Sequence, residues 1–298
     1  MNRILASLLL VLLIQCALVA TVYWPGANTQ ETDLEPMAGF DSSSVDQLQV
    51  GDEFDNETVL QRVGSRWILP ELEGLPADTA MVEALLDAIT TGSSSAWPIA
   101  DSIAARQRFR VASYYYRRKI DLFQGDATLG KFYLGTSPGF RRVYARNNRQ
   151  DAIYSIPFSA HDAPGHAGKW LDRKLLQTRA PVSIAADSYS LQRAGDHWLS
   201  GMGQVPEERE LEALLDALRS LQIDGLASGD DQRDLAEAEA DLIFNIESLA
   251  GEVTLELFRT GEKYFIHSSE YPLFFSLSAY DYDRLATIDA ELISGTSP

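Results

Sequence analysis

The chain has 298 residues, 45% hydrophobic and 23% charged, a balance that supports one large folded unit or two ordinary ones and excludes wholesale disorder. Its formal net charge of −18 argues against a nucleic-acid partner, because phosphates would meet a repulsive surface. The single cysteine, Cys16, falls in an N-terminal apolar run, which leaves the remainder without a disulfide or a thiolate for catalysis or metal binding.

Residues 4–23 run without a charge, and as a helix they would rise about 30 Å, the depth of a bilayer's hydrocarbon core. Arg3 precedes the run. No Lys or Arg occurs from 24 to 61, whereas acids such as Glu31, Asp33, Glu35 and Asp41 are frequent there. This asymmetry predicts a single-pass signal anchor, with residues 1–3 in the cytoplasm and the C-terminal region in the periplasm of a bacterial inner membrane. The lipid bilayer is then a partner through residues 4–23. A cleaved signal peptide would have a shorter apolar run and a small-residue site, yet this run ends in Val22, Tyr23 and Trp24. Acylation at Cys16 is disfavoured by Gln15 before it and by apolar residues after it. Residues 24–57 read as a flexible acidic spacer.

An internal repeat follows. Residues 60–67, LQRVGSRW, return as LQRAGDHW at 191–198, with five of eight positions identical, and ALLDA returns from 84–88 at 213–217 in the same order. In each copy a glycine, Gly64 or Gly195, is placed to turn a β-hairpin. Each hairpin precedes an amphipathic helix: Val82, Leu85, Leu86 and Ile89 share one face in the first, and Leu211, Leu214, Leu215, Leu218 and Leu221 in the second. Pro76 and Pro206 stand ahead of these helices. Strands are predicted near 110–123, 129–134, 142–146 and 153–157, then near 242–249, 253–259, 264–267 and 273–277, with terminal helices around 169–177 and 282–292. The fold class is therefore α+β: an N-terminal transmembrane helix, then two related units at 58–180 and 181–298. Each unit is a β-hairpin, an amphipathic helix and an antiparallel meander.

Motifs for chemistry are weak. His161, Asp162 and His166 cluster, but the i, i+5 spacing of the histidines across Pro164 and Gly165 does not suit a helical metal site, and a solvated loop explains them better. The Gly135-Thr136-Ser137-Pro138-Gly139 run lacks the lysine of a phosphate loop and reads as a β-turn; Ser137 has no nucleophile elbow around it. No catalytic, cofactor-binding or metal-binding residue is assigned, no cofactor is expected, and the chain is read as not an enzyme. Charge patterning is more informative. Residues 103–150 hold eleven basic side chains against two acids, a net of +9, while 205–262 hold sixteen acids against four arginines, a net of −12. Arg117, Arg118, Arg141, Arg142, Tyr114 and Tyr115 are therefore singled out as an interaction surface. Intramolecular pairing between opposite faces and binding of anionic headgroups or an acidic glycan are the competing readings.

Three segments, AARQRFRVASYYYRR at 104–118, LGTSPGFRRVYAR at 134–146 and WLDRKLL at 170–176, together with the repeated Trp and LLDA pattern, carry a family resemblance. Over about 58–289 the chain resembles a bacterial domain-of-unknown-function family, number 4340. The resemblance implies a membrane-anchored envelope protein encoded beside ABC transporters with a GldG-like component, and hence subunits of such a transporter or other envelope proteins as partners. It transfers no catalytic residue. The expected function is that of an envelope accessory or scaffold protein. The alternative is a periplasmic module that captures a ligand or glycan in the cleft between the two repeats.

Overall fold

A computed structural model describes residues 10–16, 36–94 and 97–294. The expected membrane helix at 4–23 lies outside the described residues except for 10–16, which are helical with exposed side chains. Among the described residues no helix is long and apolar enough to cross a membrane.

The fold is α+β, built on two eight-stranded antiparallel sheets. In the first, β1 (Gln47–Asp52), β2 (Glu57–Val63), β3 (Arg66–Leu69) and β4 (Leu75–Pro76) form a meander. Then β7 (Arg118–Gln124), β8 (Ala127–Leu134), β9 (Val143–Asn147) and β10 (Tyr154–Ile156) form another, and β7 pairs with β1, so the order is β10-β9-β8-β7-β1-β2-β3-β4. Helix α1 (Thr79–Ile89) lies between the meanders in sequence. Asp78 caps it by accepting from the amides of Ala80 (2.9 Å) and Met81 (3.2 Å). It buries Val82, Leu85, Leu86 and Ile89, as its periodicity predicts.

The second sheet orders β13-β12-β11-β15-β16-β17-β18-β14. Its strands are β11 (Pro181–Ala185), β12 (Ser190–Ala194), β13 (His197–Ser200), β14 (Ile223–Leu226), β15 (Leu242–Ser248), β16 (Gly251–Thr260), β17 (Lys263–Ser268) and β18 (Phe274–Leu277). The amphipathic helix Glu208–Ser220 follows its hairpin, and the helices Ala279–Ala286 and Ala290–Ile293 end the described chain. Gly64 and Gly195 both take positive φ, 63° and 65°, at the hairpin turns where sequence placed them.

One face of the first sheet is apolar. Leu48, Val50, Leu60, Trp67, Ile120, Leu122, Phe132 and Leu134 are fully buried, or nearly so, in a core that also takes in Ile184, Leu214, Phe244, Leu257 and Phe275 of the second sheet's half. The connecting segment joins the halves. Trp170 is wholly buried and its indole N–H donates to the Pro164 carbonyl (2.7 Å). The amide of Asp78 donates to the Trp170 carbonyl and that of Asp172 to Pro76, while the amide of Ile223 donates to Arg173 and that of Thr178 to Leu218.

Four expectations need correction. The spacer does not extend to 57: Met37, Val45, Leu48 and Val50 are fully buried, and β1 sits at the centre of its sheet. Its short Gln-Leu-Gln-Val alternation among acids concealed it. The strand expected at 110–123 begins only at Arg118, because a short helix, α2 (Ile103–Arg108), and a small hairpin of β5 (Val111–Ala112) and β6 (Tyr115–Tyr116) precede it. The terminal helix expected at 169–177 is a 3₁₀ turn, Ala167–Lys169, then a short stretch tied to 76–78 through the Trp170 carbonyl and the Asp172 amide, then turns in which the amides of Leu175 and Gln177 donate to Asp172 and Lys174. Strands β11 and β14, and the helix Gly229–Ala236 before β15, were not anticipated.

Candidate interaction surface

Antiparallel register gathers one set of loops at one end of the first sheet. The C-terminal ends of β1, β8 and β10 lie there with the N-terminal ends of β2, β7 and β9. The turn 53–56, the later part of the excursion (109–117), the loop 135–142 and the segment 157–168 therefore share this loop end, while the start of the excursion lies by the β9–β10 turn, where Arg106 pairs with Asp151. The described segment 36–94 begins at the opposite end, where the side-chain amide of Asn147 donates to the Met37 carbonyl (2.7 Å) and that of Gln150 to the Pro36 carbonyl (3.3 Å).

The excursion has its own small core of Val111, Tyr133 and Ile153, with Phe109 stacked on Tyr144 at 4.1 Å. Arg146, only 4% exposed, holds it in place by donating to the carbonyls of Val111 (2.9 Å), Asn147 (3.1 Å) and Gln150 (2.9 Å) beneath the Tyr133 ring. Burial, with Arg106 nearby, pulls the Arg146 guanidinium below its ordinary value. Gly135 is required beside this excursion, because a Cβ there would lie 1.9 Å from the Phe109 carbonyl oxygen.

The six residues singled out from sequence all lie at the loop end, and they divide into two groups. Arg118 and Arg142 are structural donors. The Arg118 Nε donates to the Ala163 carbonyl (2.5 Å), and burial lowers its pKa while Asp52 and Glu53 push it back up. Arg142 donates to both the hydroxyl and the carbonyl of Ser155. Arg117 and Arg141, by contrast, have no carboxylate within 4 Å among the described residues, and the buried Arg117 Nε has no hydrogen-bond partner there. Tyr114 is 71% exposed and accepts from Gln107 (2.6 Å); Tyr115 lies beneath the Arg110 guanidinium at 4.6 Å, and Arg110 pairs with Glu53.

Sequence reasoning missed the apolar part of this surface. Phe140, 91% exposed, projects from the loop 135–142 and Phe54, 76% exposed, from the turn 53–56. A Pro-Gly turn immediately before Phe140-Arg141-Arg142 was the available signal for the first. Arg141 takes φ 52°, a left-handed conformation uncommon outside glycine, beside Phe140. It also rims a cleft of about 430 Å³ lined by Ala80, Met81, Ala84, Pro157, Phe158, Ser159 and Asp162. His161 and Asp162 stand in a 3₁₀ turn near that cleft, both exposed, and the exposed His166 lies further along the same segment. Among the described residues no group of three or more His, Cys, Asp or Glu is placed to hold a metal ion.

A family model described as a domain of unknown function, DUF4340, matches residues 67–241, more than half of the chain. The chain belongs to this family. The DUF4340 match runs from β3 to the residue before β15 and takes in the excursion, the loop 135–142 and the connecting segment. No curated protein and no solved structure matches the chain.

Proposed function

We propose that this DUF4340 protein is a membrane-anchored envelope accessory or scaffold protein that does no chemistry itself and docks another envelope protein, an ABC transporter subunit being the leading candidate, through the loop end of its first sheet. The observation that carries the reading is two arginines at one end of the first sheet, Arg117 and Arg141, with no carboxylate within 4 Å among the described residues, in a chain holding 43 acids. Together with exposed Phe54, Tyr114 and Phe140, they have the Arg-and-aromatic composition of binding hot spots.

Chain direction supports a protein partner over the anchoring bilayer. With residues 4–23 in the membrane, the tether meets the folded part at Pro36, on the opposite end of the sheet from Arg117 and Arg141. A six-residue strand such as β1 separates the ends by roughly 20 Å. The tether thus joins the folded part about one strand length from Arg117 and Arg141.

We also read the two sheets as related copies. Both share most of one pairing plan: three strands in a meander (β1–β3, β11–β13), an intervening helix, and a four-stranded meander whose first strand pairs with the first strand of the earlier one, while the remaining strand extends β3 in the first sheet and β18 in the second. Capture of a ligand between the copies has less support. A cleft of about 290 Å³ lies between the connecting segment (Leu176, Gln177, Thr178, Arg179) and β15–β17 of the second sheet, and no strand of the first sheet lines it.

The test is a crosslinked pull-down of the full-length protein from membranes, with wild type compared with a variant carrying Arg117→Glu and Arg141→Glu. These two positions are chosen because Arg118 and Arg142 hold the fold. Recovery of a transporter subunit by the wild type, and its loss in a variant of unchanged melting temperature, is the expected result. Failure of the wild type to recover any envelope protein refutes the proposal.

A further inference from the structure

A separate group of exposed apolar side chains lies at the other end of the first sheet, where the tether arrives. The segment 97–103, Trp-Pro-Ile-Ala-Asp-Ser-Ile, runs antiparallel to the chain entering β10. The Ile99 amide donates to the Ile153 carbonyl and the Ile153 amide to the Ala100 carbonyl, both at 2.8 Å. Ala100 packs on the small core of Val111, Tyr133 and Ile153, so in extended chain its neighbour Ile99 is turned outward. Ser102 then caps α2 by accepting from the Ala105 amide (3.2 Å), and Ala105 and Phe109 take the inner side of that short helix. Ile103 is left outside. Trp97 is 78% exposed, Ile99 48% and Ile103 69%. The same turn holds the start of the folded part: Gln150, three residues before Ile153, donates to the Pro36 carbonyl (3.3 Å), and Arg106 pairs with Asp151. Three residues span at most about 11 Å, so the apolar patch and the tether's point of entry are neighbours.

We infer that the folded part rests on the surface of the bilayer that anchors it, with the side chains of Trp97, Ile99 and Ile103 inserted at headgroup level. This rests on the anchor at 4–23 proposed above and is independent of the docking partner. The length of the tether and the place where it ends carry it. Only twelve residues, 24–35, link the apolar run to Pro36, and fully extended they reach at most about 40 Å. A short tether holds its attachment point at a high effective concentration beside the surface, so even a weak contact there is occupied. The side chains beside that point suit an interface: an indole and two branched aliphatic groups, with Asp101 and Ser102 between them for the hydrated layer. Charges beside the patch balance, Arg106 pairing with Asp151 and Arg149 of the same turn standing against Asp101, so the contact is apolar and does not need anionic lipid. Resting on this end leaves Arg117 and Arg141, at the other end of the sheet, facing away from the bilayer.

The experiment places the full-length protein, one copy per disc, in phosphatidylcholine nanodiscs with a nitroxide on a single cysteine. The wild type is labelled at Cys16, its only cysteine. In two further proteins Cys16→Ala is combined with Ile103→Cys, or with Phe140→Cys at the loop end. Spin relaxation by oxygen, which concentrates in lipid, is compared with relaxation by a water-soluble nickel chelate. The oxygen-to-nickel ratio should be at least fivefold higher at 103 than at 140. It should not change when phosphatidylglycerol is added, or in about 1 M salt, where the Debye length is about 3 Å. Adding Trp97→Asp and Ile99→Asp, both at exposed positions, should bring the ratio at 103 down to that at 140 without changing the melting temperature. A label at Cys16 in lipid with the label at 103 in water overturns the inference and leaves the anchor standing; a label at Cys16 in water overturns both. A ratio at 103 that ignores the two aspartates, or that rises only with phosphatidylglycerol, also overturns it. So does a label at 103 shielded from both reagents, which would assign the patch to protein instead of lipid.

Discussion

Replacing Trp170 tests whether the two sheets share one core. The indole is wholly buried, its N–H donates to Pro164, and its backbone carbonyl receives the amide that precedes α1. Trp170→Ala removes the ring from a cluster containing Trp67 and Leu85 of the first half and Leu218 and Phe275 of the second. A buried aromatic truncated to alanine costs about 3–5 kcal/mol, from lost transfer free energy and the cavity left behind. Against a total stability of about 5–15 kcal/mol this is a large fraction. It corresponds to a fall of about 6–20 °C in melting temperature for a chain of this size. Trp170→Phe keeps most of the volume and loses the hydrogen bond to a half-buried carbonyl, so about 1 kcal/mol is expected. The assay is urea unfolding of the full-length chain in mild detergent, with hydrogen exchange followed separately in β7–β8 and β16–β17. Both strand pairs should lose protection together, in one transition with an unchanged m-value. A loss under 1 kcal/mol in Trp170→Ala, or a loss confined to one pair, would refute the shared-core reasoning.

Two further outcomes follow from local geometry. Gly135→Ala drives a methyl into the Phe109 carbonyl, so the excursion 103–117 must shift, at a cost of about 1–3 kcal/mol. The Thr136 amide, which donates to that carbonyl (2.9 Å), should exchange at least tenfold faster; unchanged exchange would mean the excursion is not held there. On the polar face of the first sheet the Lys119 ammonium, 2.7 Å from Glu57, lowers the Glu57 carboxyl pKa, and Glu57 in turn raises that of Lys119; Asp121 and Lys131 complete the cluster. Because the Glu57 pKa falls on folding, its contribution is complete above about pH 4.5 and fades as pH drops through the lower folded value. Because the Lys119 pKa rises, its contribution is complete below about pH 10.5 and fades as pH climbs through the higher folded value. Both groups are partly exposed, so Glu57→Gln should cost about 0.2–1 kcal/mol at pH 7. That difference should narrow below pH 4.5 and above pH 10.5; a difference constant from pH 3 to 11 would remove the pair as its source.

How much of this was legible in the sequence depended on whether a residue's partner is local. The helix at Thr79–Ile89 and the hairpins at Gly64 and Gly195 rest on periodicity and positive φ, signals carried within a dozen residues, and they were found where expected. β1 is different: half its residues are polar, and its place is set by β2 on one side and β7, 66 residues further on, on the other. The stretch 169–177 looks helical because Trp170, Leu171 and Leu176 are apolar, but the Trp170 carbonyl and the Asp172 amide go to Asp78 and Pro76, about ninety residues earlier, and only isolated turns follow. The basic surface was read as a cluster of charge. Which arginines are structural could not be, because Ala163 and Ser155, the acceptors of Arg118 and Arg142, are identified only by the fold.

The proposed relation between the two sheets sets their charged features side by side. In the first sheet the cross-strand pair Tyr133–Arg146 packs a cation against a ring beneath the excursion; the pair at the corresponding place in the second sheet is Glu256–His267, joined by a 2.8 Å hydrogen bond. Where the first half inserts the basic excursion before β7, the second inserts the acidic helix Gly229–Ala236 before β15, packed on Phe258 and Phe265. On the relation proposed above between the two sheets, the two insertions carry opposite charge. Shared strands explain stability in both halves, but stability does not require Arg117 and Arg141 to lack carboxylates when the other half is rich in them. Intramolecular neutralisation would have brought those acids within 4 Å, and the ion pairs do not cross between the two halves among the described residues. Arg117 and Arg141, with no carboxylate within 4 Å among the described residues, are the charges on which the docking role proposed above rests.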